Sequence, residues 1–321
     1  MSDRPSTHPP FVPTDTRRSF LRRLTAIGAG SVFFGACGRS TPTPALSLGF
    51  SLYGMKQLHV GDSIAACARI GYRNVEVSLI SGFPTEPSRL TPALRLAIGQ
   101  QVETSGIQVS SLLANFKLTG EAADHVDQLE QMRIAAEFAR ELGRTGHQPV
   151  IQTGVGGEPA EWEQQKTLIV ERLRDFDAIA REYEVSIAIK AHVNSAVNSP
   201  DRLLWMRDQV GGTDLVVAYD HAHYALGGIP FERSLPPLVS DTRFVHVKEA
   251  EGNPADYHFL LPGEGRTDFV ALFKLLVASG YRGPVVAEVS SQIFTLPGYD
   301  PITAAEKCFA ALAPAVAEAG G

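Results

Sequence analysis

The sequence predicts a single (β/α)₈ TIM barrel behind an N-terminal export signal, and three observations predict it. From residue 45 onward short apolar runs alternate with longer amphipathic ones, with few interruptions; this is how strands of a parallel sheet alternate with the helices that return over it. Eight such apolar runs occur, and roughly 275 residues is an ordinary size for that fold. Ser51-Leu52-Tyr53-Gly54-Met55 follows the first run, where an open doubly wound sheet usually carries a Gly-rich dinucleotide turn.

The elements follow in order. Leu46 to Leu52 reads as the first strand, and Asp62-Ser63 opens a helix that reaches Ile70 and closes at Gly71, a residue suited to the left-handed turn after a helix. Asn74 to Leu79 is the second strand, followed by a helix from Pro92 to Glu103 that stops before Gly106. Ile107 to Ala114 is the third, with a long helix over 122–142. Pro149 to Thr153 is the fourth, with a helix from Glu161 to Tyr183. Val185 to Ile189, Leu215 to Tyr219, Arg243 to Val247 and Pro284 to Ala287 are strands five to eight, and helices over 200–209, 267–279 and 301–318 fill the remaining gaps. No internal repeat and no second domain is visible, so the barrel is expected to span 46–318.

Residues 1–37 read as an address, not as fold. Thr16-Arg17-Arg18-Ser19-Phe20-Leu21-Arg22 is a twin-arginine export signal. The apolar stretch from Leu24 to Ala36 is too short to span a bilayer stably. It ends at Phe34-Gly35-Ala36-Cys37, similar to a lipoprotein cleavage site with Cys37 as the lipid-bearing residue. Residues 38–45, rich in Ser, Thr and Pro, serve as a tether. The expected location is therefore periplasmic or extracytoplasmic, with contact to a membrane only through Cys37.

Apolar residues make up 44% of the chain and charged residues 20%, a globular composition. A net charge of −6 without a basic run argues against nucleic acid as a partner. Beside Cys37 the cysteines are Cys67 and Cys308, in the first and last helices, which are neighbours in a closed barrel; buried thiols are favoured over a disulfide.

Active sites of such barrels lie at the carboxyl ends of the strands. Reading those ends gives Glu76, Asn115, Gln152, Lys190 with His192, Asp220 with His223, His246 with Lys248 and Glu249, and Glu288. Apolar strands that stop on Asp, His and Glu suggest oxygen and imidazole ligands for Mn²⁺, Mg²⁺, Co²⁺ or Zn²⁺.

The runs Gly71-Tyr72-Arg73-Asn74-Val75-Glu76, Asp220-His221-Ala222-His223, His246-Val247-Lys248-Glu249, Gly263-Glu264-Gly265 and Ala287-Glu288 together resemble the xylose isomerase-like barrels, especially their sugar and sugar-phosphate isomerase/epimerase group. The resemblance covers about 46 to 316, nearly all of the chain after the export region. It implies a small-molecule sugar substrate, proton transfer beside its carbonyl, and a divalent ion held by four side chains from strands five to eight. Carried over, it makes Asp220, His246 and Glu288 metal ligands and His223 a substrate contact, with Glu288 also the base. Lys248, Glu76 and His192 join as further substrate-site residues.

At the fourth ligand position the family usually has Glu-x-His, whereas this chain has Lys190-Ala191-His192. An ammonium within a few ångströms of a divalent ion is repelled by several kcal/mol. Three arrangements follow. The ion stays on three ligands and favours the neutral amine of Lys190, which then serves as acid or base. Lys190 replaces the ion, pairing with Asp220 and Glu288. Or Lys190 forms a Schiff base with a carbonyl. Loss of one carboxylate also shifts weight from epimerisation towards a keto-sugar lyase or dehydratase, where one strong base suffices; a non-catalytic sugar-binding lipoprotein is the competing class.

Overall fold

The computed structural model describes residues 45–144, 147–212 and 214–320; the twin-arginine run, Cys37 and most of the 38–45 linker lie outside the described residues. The elements in chain order are β1 (Leu46–Ser51), α1 (Val60–Ile70), β2 (Asn74–Ser78), α2 (Pro92–Ser105), β3 (Gln108–Leu113), α3 (Ala122–Gly143), β4 (Val150–Thr153), α4 (Trp162–Tyr183), β5 (Ile187–Lys190) and α5 (Pro200–Val210). They continue with β6 (Leu215–Asp220), α6 (His221–Leu226), α7 (Phe231–Ser234), β7 (Thr242–Val247), β8 (Glu249–Asn253), β9 (Asp256–Leu260), α8 (Phe269–Ala278), β10 (Gly283–Ala287), α9 (Ser291–Phe294) and α10 (Pro301–Glu318). Eight strands close in the order β1-β10-β7-β6-β5-β4-β3-β2, all parallel, so the expected barrel is present with β10 as its eighth strand. The antiparallel pair β8–β9 stands apart as a hairpin, an element the sequence reading did not contain.

Local chemistry explains most boundaries. Three helices open on a side-chain cap followed by proline: Thr91 before Pro92, Ser199 before Pro200 and Asp300 before Pro301. The cap oxygen accepts from a backbone N–H that has no helical partner, and proline suits the first helical position because its missing N–H is not needed there. Gly71 ends α1 at φ +116°, and a Cβ there would lie 2.9 Å from the Phe309 ring of α10.

Among the described residues two apolar clusters build the barrel, beside a third patch of Val193, Ala222, Leu226 and Phe259. The large one packs the outward faces of the strands against the helices, with Phe50, Val75, Leu112, Ile151, Ile189, Tyr219 and Val245 among its members. The small one plugs the barrel interior with Val150, Ala188, Val216, Ala218, Phe244 and Val286. Cys67 and Cys308 are free and buried in the large core; burial pushes both thiols up to about 12, so the thiol reading holds and both are unreactive. Among the described residues no helix is long and apolar enough to cross a membrane.

Candidate active site

The two-residue period of a strand builds the site. Side chains two apart share a face, so each strand that contributes to the interior plug contributes again one step later. Val150 is followed by Gln152, Ala188 by Lys190, Val216 and Ala218 by Asp220, Phe244 by His246 and Lys248, and Val286 by Glu288. An apolar floor thus carries a polar layer directly above it. Register places Asp220 opposite His246 and Val286 opposite His246. Register shifts fall at Val75/Glu76 and Val217/Ala218; irregularities of this kind re-aim side chains next to functional sites.

Six of the expected residues meet. Lys190 Nζ donates to Glu288 Oε1 at 3.1 Å and Oε2 at 3.2 Å, contacts His246 Nδ1 at 3.1 Å and lies 3.6 Å from Asp220 Oδ2. Lys248 Nζ donates to Asp220 Oδ2 at 2.8 Å and to Glu288 Oε2, and sits 4.7 Å from the centre of the Phe259 ring. With Lys190 donating to His246 Nδ1, the other ring nitrogen carries the proton and donates to Glu76 Oε1 at 2.9 Å. Ser51 Oγ also donates to Glu76 Oε1, at 2.7 Å. Asp220 accepts from the N–H of Ala222 as well, capping α6.

All of these groups are buried, which fixes their electrostatics. Burial works to raise the Asp220 carboxyl, but Lys248 and Lys190 outweigh it and hold that group well below the usual carboxylate range. Glu288 is depressed in the same way, with Lys190 and Lys248 overcoming burial. Burial acts against the Lys248 ammonium, yet Asp220 and Glu288 hold it above the ordinary lysine value. Burial, then Lys248 and Lys190, push His192 down to about 4, and burial with Lys248 and His192 depresses His223; both rings are neutral at pH 7.

A cavity of about 370 Å³ opens above this layer, lined among others by Lys190, His192, His223, Lys248 and Glu288, within the size range of small-molecule sites. His192 and His223 pack against each other tilted by 40°, with ring centres 3.9 Å apart, and His223 Nε2 is 3.5 Å from Asp220 Oδ2. Glu76, Asp220 and His246 lie beneath the cavity wall and act on it through the lysines and Glu288. Glu249 is not part of this cluster. It is buried and accepts from Thr267 Oγ1 at 2.6 Å and from the N–H groups of Thr267 and Gly263 at 3.1 and 3.4 Å. It therefore anchors the Gly263-Glu264-Gly265 loop, and a Cβ on Gly265 would lie 2.6 Å from its Oε2. His221 packs against the Phe269 ring at 5.8 Å and does not line the cavity.

Four contributors were given no role from sequence. Gln152 reaches the cavity fully buried with neither amide atom bonded; its place two residues after Val150 is the signal that marks it. Tyr53 follows the first strand and stacks on Phe83 at 5.2 Å. Tyr257 and Phe259 come from the hairpin, tied over the site by Asn194 Nδ2 donating to Tyr257 Oη at 2.9 Å.

Against known proteins, residues 64–314 match the family model for the xylose isomerase-like TIM barrel. The chain belongs to that family. Among relatives of the xylose isomerase-like family, an inosose dehydratase from Geobacillus thermodenitrificans is 22% identical over 241 residues, 70% of this chain and 80% of the relative. The L-ribulose-5-phosphate 3-epimerase UlaE of Shigella flexneri is 25% identical over 230 residues, 69% and 78% of the two chains. The crystal structure of the IolI protein with a bound zinc atom superposes with a TM-score of 0.69 at 18% identity, covering 84% of this chain and 98% of that one.

The expected divalent ion can be tested on the residues of this family member. One donor atom each from Asp220, His246 and Glu288 lies within 4.8 Å of the others, and two carboxylates with an imidazole are suitable ligands. The ammonium groups oppose it. An ion about 2.1 Å from His246 Nδ1 would lie no more than about 5 Å from Lys190 Nζ, which is itself 3.1 Å from that nitrogen. The same limit holds for Lys248 through Asp220, at 2.8 Å. Each ammonium repels a dication at that distance by roughly 6 kcal/mol at an effective dielectric of about 20. The donor set suits an ion; with both lysines in these positions the cluster does not fit one.

Proposed function

We propose that the protein is an exported enzyme that moves a proton at the carbon beside the carbonyl of a sugar or related polyol, as sugar isomerases and epimerases do. The observation that carries this reading is the convergence of one carboxylate, Glu288, and two ammonium groups, Lys190 and Lys248, on one cavity. Glu288 takes the C–H proton, the bonding electrons pass to the carbonyl oxygen, and an enediolate forms. Lys190 and Lys248 stabilise the new charge by facing it from a water-poor wall. They also resolve a conflict, since a carboxylate clamped by two ammoniums is a weak base. Once the carbonyl oxygen accepts hydrogen bonds from the ammonium groups, their clamp on Glu288 loosens and the carboxylate gains basicity. His192, His223 and Gln152 meet the substrate hydroxyls, and Glu76 holds His246 and through it Lys190.

The fate of the enediolate decides the product. Return of the proton to the neighbouring carbon isomerises, return to the opposite face epimerises, and expulsion of a hydroxyl one carbon further on, with a proton to make water, dehydrates. The dehydratase reading is favoured by one observation: among the described residues lining the cavity, Glu288 is the sole carboxylate, and one base suffices for elimination. Epimerisation needs a donor on the other face, the part assigned to Lys190. The names of the relatives support both outcomes.

Incubation with free keto-sugars and keto-polyols in D₂O, followed by NMR, tests the reading. Deuterium should enter beside the carbonyl, and Glu288→Gln should slow that exchange by about 10³-fold while keeping ligand binding. Loss of water from the product selects dehydration; exchange as fast in Glu288→Gln as in the parent chain removes the proposal. A purely binding protein would show affinity with no exchange.

Export is supported by the Arg17-Arg18 signal and by Cys37, and it favours a free sugar over a phosphorylated one. Cell fractionation should find the protein with the membrane and Cys37→Ser released from it; a cytosolic location for both refutes export.

A further inference from the structure

We propose that Lys190, seconded by Lys248, is the resident cation of this site, taking the place of a divalent ion between Asp220, His246 and Glu288. The proposal deepens the reading above, on which its catalytic consequence rests: the carbonyl oxygen is polarised by ammonium groups, and turnover needs no metal.

Position carries the first part. Lys190 Nζ is within hydrogen-bond distance of His246 Nδ1 and both Glu288 oxygens, and 3.6 Å from Asp220 Oδ2. It therefore touches or nearly touches each of the three side chains whose donor atoms cluster within 4.8 Å.

Charge carries the second part. The carboxylates of Asp220 and Glu288 balance the ammoniums of Lys190 and Lys248, each carboxylate lying within 4.0 Å of both. A dication added to those four groups would leave two positive charges with only Glu76, behind His246, to offset them in a buried place. The ion pairs of Lys190 among the described residues are with Asp220 and Glu288 alone. An ion that claimed those carboxylates would strand the ammonium without a partner, which burial strongly disfavours.

Isothermal titration of the chelator-treated protein with Mn²⁺, Mg²⁺, Co²⁺ and Zn²⁺, read alongside elemental analysis of the protein as purified, tests this without any substrate. The expected result is no stoichiometric ion in the parent chain and binding of one ion per chain in Lys190→Glu, at least about 10³-fold tighter, since the variant exchanges a repelling charge for a ligand. Exchange activity of the parent chain should survive chelation. One ion per chain bound with micromolar or tighter affinity by the parent protein overturns the proposal, whether or not Lys190→Glu folds. A borohydride-trapped adduct of a ketone on Lys190 also overturns it, because the amine would then act as nucleophile. Should no ketone ever exchange, the functional reading fails while the metal titration still decides this one.

Discussion

At Gln152 a fully buried carboxamide reaches the cavity with Oε1 and Nε2 both unbonded, an arrangement that is unfavourable in the free protein and is repaired by a ligand offering one donor and one acceptor. Neighbouring hydroxyls of a polyol offer both. Gln152→Leu, close in volume, should weaken ligand affinity about 5- to 30-fold, as loss of one or two hydrogen bonds implies. Thermal stability should hold or rise, because leucine brings no polar atoms to bury. Equal affinity in calorimetry would show that the amide faces no ligand group. The same scale shows where residue identity misleads. Glu249 and His221 sit in the same runs as the site residues, yet one ties down a loop and the other packs on Phe269; Glu249 is one residue out of step with His246 and Lys248, and His221 opens α6 on the side away from the cavity that His223 lines.

Element by element, the regular parts of the chain were legible. Strand ends were placed within a residue or two: β3 runs Gln108–Leu113 against an expected 107–114, and β6 ends on Asp220 instead of Tyr219. Apolar runs bounded by Gly, Pro and capping residues leave little freedom there. The polar layer was legible for the same reason, since it follows the plug at the strand period. The β8–β9 hairpin was not. Its register separates Glu251 and His258 from Tyr257 and Phe259, but each strand is only five residues long and β8, Glu249–Asn253, carries no large apolar side chain, so too little pattern is present to register. The six-residue α6 begins directly on the strand end at His221, too short for a helical period to register. Distances across the barrel were also out of reach: that Lys248 bridges Asp220 and Glu288 depends on how the sheet closes, which no single strand encodes.

The molecule as a whole should be acid-sensitive in two stages. Burial holds His221 and His223 below the ordinary histidine value. Below about pH 6.5 the unfolded chain binds protons at both while the folded chain refuses them, so stability falls as pH falls, by about 1.4 kcal/mol per unit for each ring. Asp220 and Glu288, depressed by the lysines despite burial, add a second stage. Their contribution is complete above about pH 4 and is lost as pH drops through their folded values. The raised Lys248 acts in the opposite sense, fully stabilising below about pH 10.5 and fading as pH climbs past that value. Melting temperature should therefore decline from pH 7.5 to 5.5; a flat profile over that interval contradicts the neutral, buried histidines. The plug of Val150, Ala188, Val216, Ala218, Phe244 and Val286 has a historical consequence. Because closure of the barrel and the chemistry above it occupy successive pleats of the same strands, a lineage can exchange a reactive side chain without touching what holds the cylinder shut. Lys190 stands one pleat above Ala188 of that plug, so a different side chain at 190 leaves the closing layer as it is.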